Sequence, residues 1–170
     1  MKNKVFKRTL ALFVSVLMIF SVMFMLCGCS KNKPEDAVDG YFTAMFKTYD
    51  TKAFIEVMSP PRFEDSMKKA GVKEEDYEDN VKILLYGVGQ QLETTSTTVT
   101  WKIDSVEKYD EHEATHLKEH YKEEYGVVLN DIKLVKSTAT QKSNEKTESK
   151  EFKFVVVKID NQWYIDTVES

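Results

Sequence analysis

The apolar pattern of this chain changes near residue 94, and that change restricts its fold more than any other feature. Between residues 34 and 92, apolar side chains recur three or four positions apart, the spacing of amphipathic helices. After residue 94, segments rich in threonine, valine and aromatic residues predict strands. Helices followed by strands favour an α+β fold, with the N-terminal helices packed on an antiparallel sheet of about four strands.

Local signals divide the helical part into four segments. Pro34 followed by two acidic residues predicts the first helix start, because proline and negative charge suit a first turn. Asp50 is predicted to cap a short second helix, which the sequence SPP at 59–61 ends. Gly71 is predicted to end a third helix.

A longer helix is predicted over residues 74–92. Gly87 and Gly89 weaken its end, so that a kink or a close approach of another segment is expected there. The residues predicted to face the core are Tyr77, Val81, Leu84, Leu85 and Val88.

Four segments predict strands, namely TTSTTVTWKIDSVEKY, DIKLVKSTAT, EFKFVVVKID and WYIDTV. Between the first two, residues 110–125 predict one more helix, which Gly126 ends. Residues 136–151 are rich in Ser, Thr, Lys and Glu, which predicts a solvated loop or an extended hairpin tip.

The first residues resemble a targeting signal. Four basic residues precede a long apolar run that ends in Leu26-Cys27-Gly28-Cys29. This resembles a bacterial lipobox, so residues 1–28 are predicted to be a lipoprotein signal peptide and Cys29 the lipid attachment site. The alternative is an uncleaved membrane helix, which needs about 20 apolar residues. We expect residues 29–33 to be a lipidated N-terminus with a short linker, and residues 34–170 a single domain.

Either interpretation places the domain on the extracytoplasmic face of the cell membrane, because the positive segment stays inside. The predicted membrane partner is the bilayer itself, reached through diacylglyceryl and acyl chains such as palmitate. The predicted mature chain keeps 20 basic and 28 acidic residues, a net charge of −8. Because it has no basic patch with interleaved aromatics, we expect no nucleic acid partner. Its single cysteine carries lipid, so no disulfide within the chain is expected. We predict no cofactor.

Two further segments carry a family resemblance. PEDAVDGYFTAMFKTYDTKAF after the lipobox, and KFVVVKIDNQWYIDTV at the C-terminus, resemble small clostridial-type lipoproteins with a nuclear transport factor 2-like, or cystatin-like, cone domain. The resemblance covers nearly all of residues 34–170 and implies helices packed into a curved sheet. It implies no particular chemistry, since this superfamily contains enzymes, binding proteins and modules without known activity.

The sequence HEATH, residues 112–116, matches the HExxH pattern of zinc peptidases. On a helical wheel, Leu117 and Tyr121 lie on the apolar stripe, whereas the histidines lie about 140° away from it. The histidines are therefore predicted to face solvent, and we assign no catalytic residue and no metal site. A zinc-dependent hydrolase using His112, Glu113 and His116 is the alternative. A surface patch, with His120, that senses pH or holds a divalent metal loosely also stays open.

These observations favour a non-enzymatic binding or interaction module with a protein partner or a small ligand. An accessory subunit of a membrane complex is a further alternative. A cone fold could direct aromatic residues into an open pocket, although simple core packing is the expected arrangement. The aromatic residues in question are Tyr41, Phe42, Phe46, Tyr49, Trp101, Phe152, Phe154, Trp163 and Tyr164.

Overall fold

The computed structural model describes residues 33–170, and in this part five α-helices pack on one open antiparallel sheet of four strands. The helices are α1 Pro34–Thr43, α2 Thr51–Val57, α3 Pro60–Lys69, α4 Tyr77–Thr94 and α5 Glu111–Tyr125. The strands are β1 Thr98–Lys108, β2 Asp131–Lys142, β3 Thr147–Ile159 and β4 Gln162–Glu169, in the order β1-β2-β3-β4. The predicted α+β fold is confirmed.

Helix α1 is extended by an unusual turn. Its start is fixed by Pro34 and by Asp36, whose carboxylate accepts a hydrogen bond from the Lys33 amide. A five-residue π-helical turn, Ala44–Thr48, follows directly. The chain then leaves the helix at Tyr49, whose φ of 52° lies in the left-handed region that bulky residues rarely adopt.

The short helices α2 and α3 follow their predicted boundary signals. The Asp50 carboxylate accepts a hydrogen bond from the Ala53 amide and caps α2. Pro60 and Pro61 not only end α2 but also occupy the first two positions of α3, where a missing amide hydrogen does no harm. Gly71, with φ of +75°, lies just after α3 in a conformation that favours glycine.

Helix α4 buries a narrower stripe than its sequence predicts. A 3-10 turn, Glu74–Asp76, precedes it, and Tyr77, Val81 and Leu85 are buried as expected. The prediction for Leu84 is wrong, since 52% of this residue is exposed. The reason is that α4 packs on α2 and on the π-helical turn, a small surface that covers only part of the apolar face.

The sheet is covered on both faces. Successive side chains of a strand point to opposite faces, and in β3 both sets are buried. Phe154 and Val156 pack in the cluster that contains α1, whereas Val155 and Val157 pack in the cluster that contains Tyr121 of α5. The domain is therefore three layers deep, with the N-terminal helices on one face and α5 on the other.

The segment 136–151 is an extended hairpin. Strands β2 and β3 stay paired as far as Lys142 and Thr147, and a short turn at residues 143–146 joins them. Of the two predictions for this segment, the hairpin is confirmed. The strands run further than their apolar residues indicate, because backbone pairing alone holds the exposed residues 141–142 and 147–151 together.

Most of the aromatic residues fill the core, as expected. Phe42 and Phe154 are fully buried, and Trp101 stacks on Phe42 with ring centroids 5.4 Å apart. The Trp101 indole nitrogen donates a 2.8 Å hydrogen bond to Asp39. This bond satisfies the polar edge of the ring, so that the tryptophan can bridge β1 and α1.

Two helical glycines provide a matched test of this packing. A Cβ at Gly40 would lie 2.8 Å from Cγ1 of Val57, whereas a Cβ at Gly87 would meet no atom within 4 Å. Alanine at 87 should raise the free energy of unfolding by about 0.5–1 kcal/mol, because the unfolded chain has less backbone entropy with alanine than with glycine. Alanine at 40 should lower it by about 1 kcal/mol, because overpacking outweighs that gain. Urea denaturation of both variants checks the prediction, and Val57→Ala should relieve the Gly40→Ala defect. Equal effects at both positions would contradict the close α1–α2 contact.

Candidate functional site

The HEATH helix is α5, and its orientation agrees with the helical wheel. The Asp110 carboxylate accepts 3.0 Å hydrogen bonds from the amides of His112 and Glu113, which starts the helix where predicted. Gly126, with φ of 66°, ends it. Tyr121 is fully buried against the sheet, whereas His112 and His116 lie on the exposed face. The prediction that the histidines face solvent is confirmed.

This exposed face differs from the site of a zinc peptidase. A catalytic zinc needs three protein ligands in a cleft that shapes the substrate and leaves a position for water. His112, Glu113 and His116 are all exposed. Among residues 33–170, no group of three or more His, Cys, Asp or Glu side chains is placed to hold a metal ion.

The predicted lipid site, Cys29, lies outside the described residues, as does the apolar run before it. Between residues 33 and 170, no helix combines the length and apolar character needed to cross a bilayer.

A buried polar cluster lies where α5, β4 and the start of α3 meet. The Tyr121 hydroxyl donates a 2.5 Å hydrogen bond to a carboxylate oxygen of Asp166, and it lies 2.6 Å from the Ser59 hydroxyl. Nε of Arg62 lies 3.9 Å from the same Asp166 oxygen. Hydrogen bonds and the nearby guanidinium thus offset part of the cost of burying this carboxyl group.

Strand β4 is irregular at this cluster. The pairing of β3 with β4 shifts between Val155 and Val156, which leaves Asp166 as an extra residue in β4. Asp166 itself stays on the face of β4 that α5 covers, and the bulge changes the side-chain alternation only after it. The Ser59 amide donates a 2.8 Å hydrogen bond to the carbonyl of Ile165, so the start of α3 is held against the same strand.

Burial dominates the electrostatics of this cluster. Desolvation raises the pKa of Asp166 above its ordinary value, although the Tyr121 hydrogen bond and Arg62 oppose the shift. Desolvation, followed by the charge of Asp166, raises the pKa of Tyr121. Tyr121 and Ser59 are fully buried, so a substrate cannot reach them. The cluster therefore positions α3 and α5 against β4 and does not form an active site.

An open groove of about 760 Å³ lies beside α4, within the usual range of ligand and peptide grooves. Tyr49 and Tyr86 line it. A Cβ at Gly89 would lie 3.2 Å from the Tyr49 ring, so glycine at this position leaves room for the tyrosine. This is one of the two outcomes predicted for Gly87 and Gly89, a close approach of another segment. The other lining residues are Lys82, Gln90, Leu92, Glu93, Ser96, Thr97 and Thr98.

Exposed apolar side chains continue from this groove over the outer side of α4. Ile83 is 71% exposed and Tyr86 is 67% exposed, and they lie one helical turn apart. Leu84 is also exposed, but at 100° per residue it lies about 160° around the helix from Tyr86. We define the α4 surface as Ile83 and Tyr86 together with Tyr49. Contiguous exposed apolar groups of this kind mark interaction sites on soluble domains.

Sequence reasoning missed both the α4 surface and Asp166. A signal for the α4 surface was present, because Ile83 and Tyr86 are apolar yet fall outside the predicted buried stripe. Asp166 had no comparable signal, since a strand pattern does not show which residue of a distant helix will cover a polar side chain.

No known protein family model matches this chain, and no curated protein matches it at a significant level. The resemblance to clostridial-type lipoproteins therefore stays a prediction.

The raised pKa of Asp166 predicts a specific pH dependence. Because the folded-state pKa exceeds the unfolded value of 3.8, Asp166 contributes most stability below that value and loses it as the pH rises through the folded pKa. The free energy of unfolding of the native chain, minus that of Asp166→Asn, should therefore fall as the pH is raised from about 3 to neutrality. Chemical denaturation of both proteins across this range measures the difference. A difference that grows with pH would indicate a lowered pKa and a dominant Arg62 interaction.

Proposed function

We propose that this protein is a lipid-anchored, extracytoplasmic interaction module that binds a protein partner through the α4 surface. One observation carries the proposal, namely the combination of a tyrosine-lined groove with the exposed Ile83 and Tyr86 beside it. A folded domain gains nothing in stability from apolar side chains left in water, so their position on one helix side favours an external partner. Tyrosine is also prominent among residues that dominate interface energies.

A protein fits this surface better than a lipid bilayer does. The predicted mature chain has a net charge of −8, so an anionic membrane surface repels it. Lys82 and Glu93 lie at the groove and supply charges of both signs, which suits a polar rim around an apolar centre.

The predicted anchor restricts where the partner is found. The linker proposed between the lipid and α1 has five residues, a reach of at most roughly 18 Å. The domain would then stay next to the membrane, so we propose a partner that is itself a membrane protein. This is the accessory-subunit role that the sequence left as an alternative.

The peptidase alternative is less favoured. His112 and His116 lie on an exposed helix face, whereas a hydrolytic zinc site needs a cleft. Asp166 and Tyr121, whose pKa values are raised by desolvation, are buried within a structural cluster.

Photocrosslinking tests the proposed interface. The full-length chain is produced in its native host with a photoreactive amino acid at position 86, and a second form carries it at position 128. Val128 is a matched control because its exposed fraction, 68%, is nearly the 67% of Tyr86. It lies after α5 and away from the α4 surface. Irradiated membranes should give a discrete adduct with one membrane protein from position 86 and none from position 128.

The adduct at position 86 should disappear when Ile83→Asp is added, because a charge in the apolar centre of an interface is desolvated without a partner. The proposal fails if the adduct is a dimer of this chain, if it contains lipid alone, or if both positions give the same adduct.

The anchor has its own test. Cys29→Ser should leave an unprocessed precursor without lipid, because serine lacks the thiol that is acylated. Metabolic labelling with a fatty acid, followed by mass measurement of the chain, distinguishes the two forms. Cys27→Ser is the control and should still be processed and labelled. Identical products from both variants and from the native chain would support an uncleaved membrane helix instead.

A further inference from the structure

The two histidines of HEATH are arranged as a pair on the surface of α5. Nε2 of His112 and Nε2 of His116 lie 3.3 Å apart, and their ring centroids are 4.5 Å apart. The residues are four positions apart, which brings the side chains together on consecutive turns. Both rings are exposed to solvent, so an ion can reach them without any rearrangement of the fold.

We infer that His112 and His116 together bind one divalent transition-metal ion, with zinc the ion that their spacing fits best. Two imidazole nitrogens that bind zinc at about 2.0–2.1 Å with a tetrahedral angle lie about 3.3 Å apart. The Nε2–Nε2 distance already has this value. Water completes the coordination of an ion bound on an open helix face.

The surroundings of His116 support metal binding through Nε2. Nδ1 of His116 lies 3.9 Å from a carboxylate oxygen of Glu119 on the next turn. Histidines that bind metals usually donate their second ring N–H to a carboxylate or carbonyl, which orients the ring and fixes the tautomer. The 3.9 Å distance is too long for a hydrogen bond, but it places the carboxylate on the Nδ1 side of the ring and leaves Nε2 directed at His112.

The charge of the helix also favours a cation. Residues 110–125 contain six acidic residues and two lysines. This excess of negative charge raises the local concentration of cations near the helix face. Imidazole ligands select transition metals over magnesium or calcium, which prefer oxygen.

His120 is separate from the pair, although it lies four residues beyond His116. Its ring packs edge-on against Tyr125, with centroids 5.3 Å apart. It therefore serves as an internal control of the same residue type on the same helix. The proposed ion site needs no cleft and no catalytic base, and it is independent of the protein partner proposed for the α4 surface.

Isothermal titration calorimetry tests the site on the full-length chain, purified in detergent without a polyhistidine tag. Zinc chloride should bind with one ion per chain, and magnesium chloride should give no binding. His112→Ala and His116→Ala should each weaken zinc binding by at least about tenfold. Loss of a group that only supports a metal ligand already costs about this much, and loss of the ligand itself costs more. His120→Ala and Glu113→Gln should bind zinc as the native chain does.

Thermal unfolding provides a second readout. The two histidines are held together only in the folded state, so zinc should bind that state and stabilise it. Zinc should therefore raise the melting temperature of the native chain and of His120→Ala. It should not raise that of His116→Ala. The inference is overturned if the native chain takes up no zinc, if His116→Ala binds it equally well, or if His120→Ala loses binding as strongly as His112→Ala.

Discussion

The burial of β3 on both faces is the constraint on which the rest of the fold depends. The run Phe154–Val157 places apolar side chains alternately above and below the sheet, and neither set can be left in water. One layer of helices cannot bury both faces of such a strand. The chain meets this requirement with α1 on one face and α5, inserted between β1 and β2, on the other.

The edge strand β4 is held by polar contacts where the apolar layers end. The Tyr121–Asp166 hydrogen bond joins α5 to β4, and the Ser59 amide joins the start of α3 to the same strand. Covering an edge in this way also removes backbone groups that could pair with another chain. The buried carboxyl group is thus part of the architecture, on the face of β4 that α5 covers.

The two surfaces proposed for binding follow from this arrangement. Because Tyr121 fixes the inner side of α5, the opposite side must present His112 and His116 to solvent. Helix α4 packs mainly on other helices, so its outer side keeps Ile83 and Tyr86 exposed. The exposure of the histidine pair and of the α4 surface therefore follows from which side of α5 and of α4 is packed inward.

The sequence by itself determined the α+β class, the cap at Asp50, the start of α5 near residue 110 and the outward direction of the histidines, because these depend on local periodicity and on residues a turn apart. Only the tertiary structure decided that Leu84 is exposed, that Asp166 is buried against Tyr121, and that Tyr49 lines a groove. Each of these depends on which element packs beside it, a contact between residues distant in sequence that no local pattern specifies.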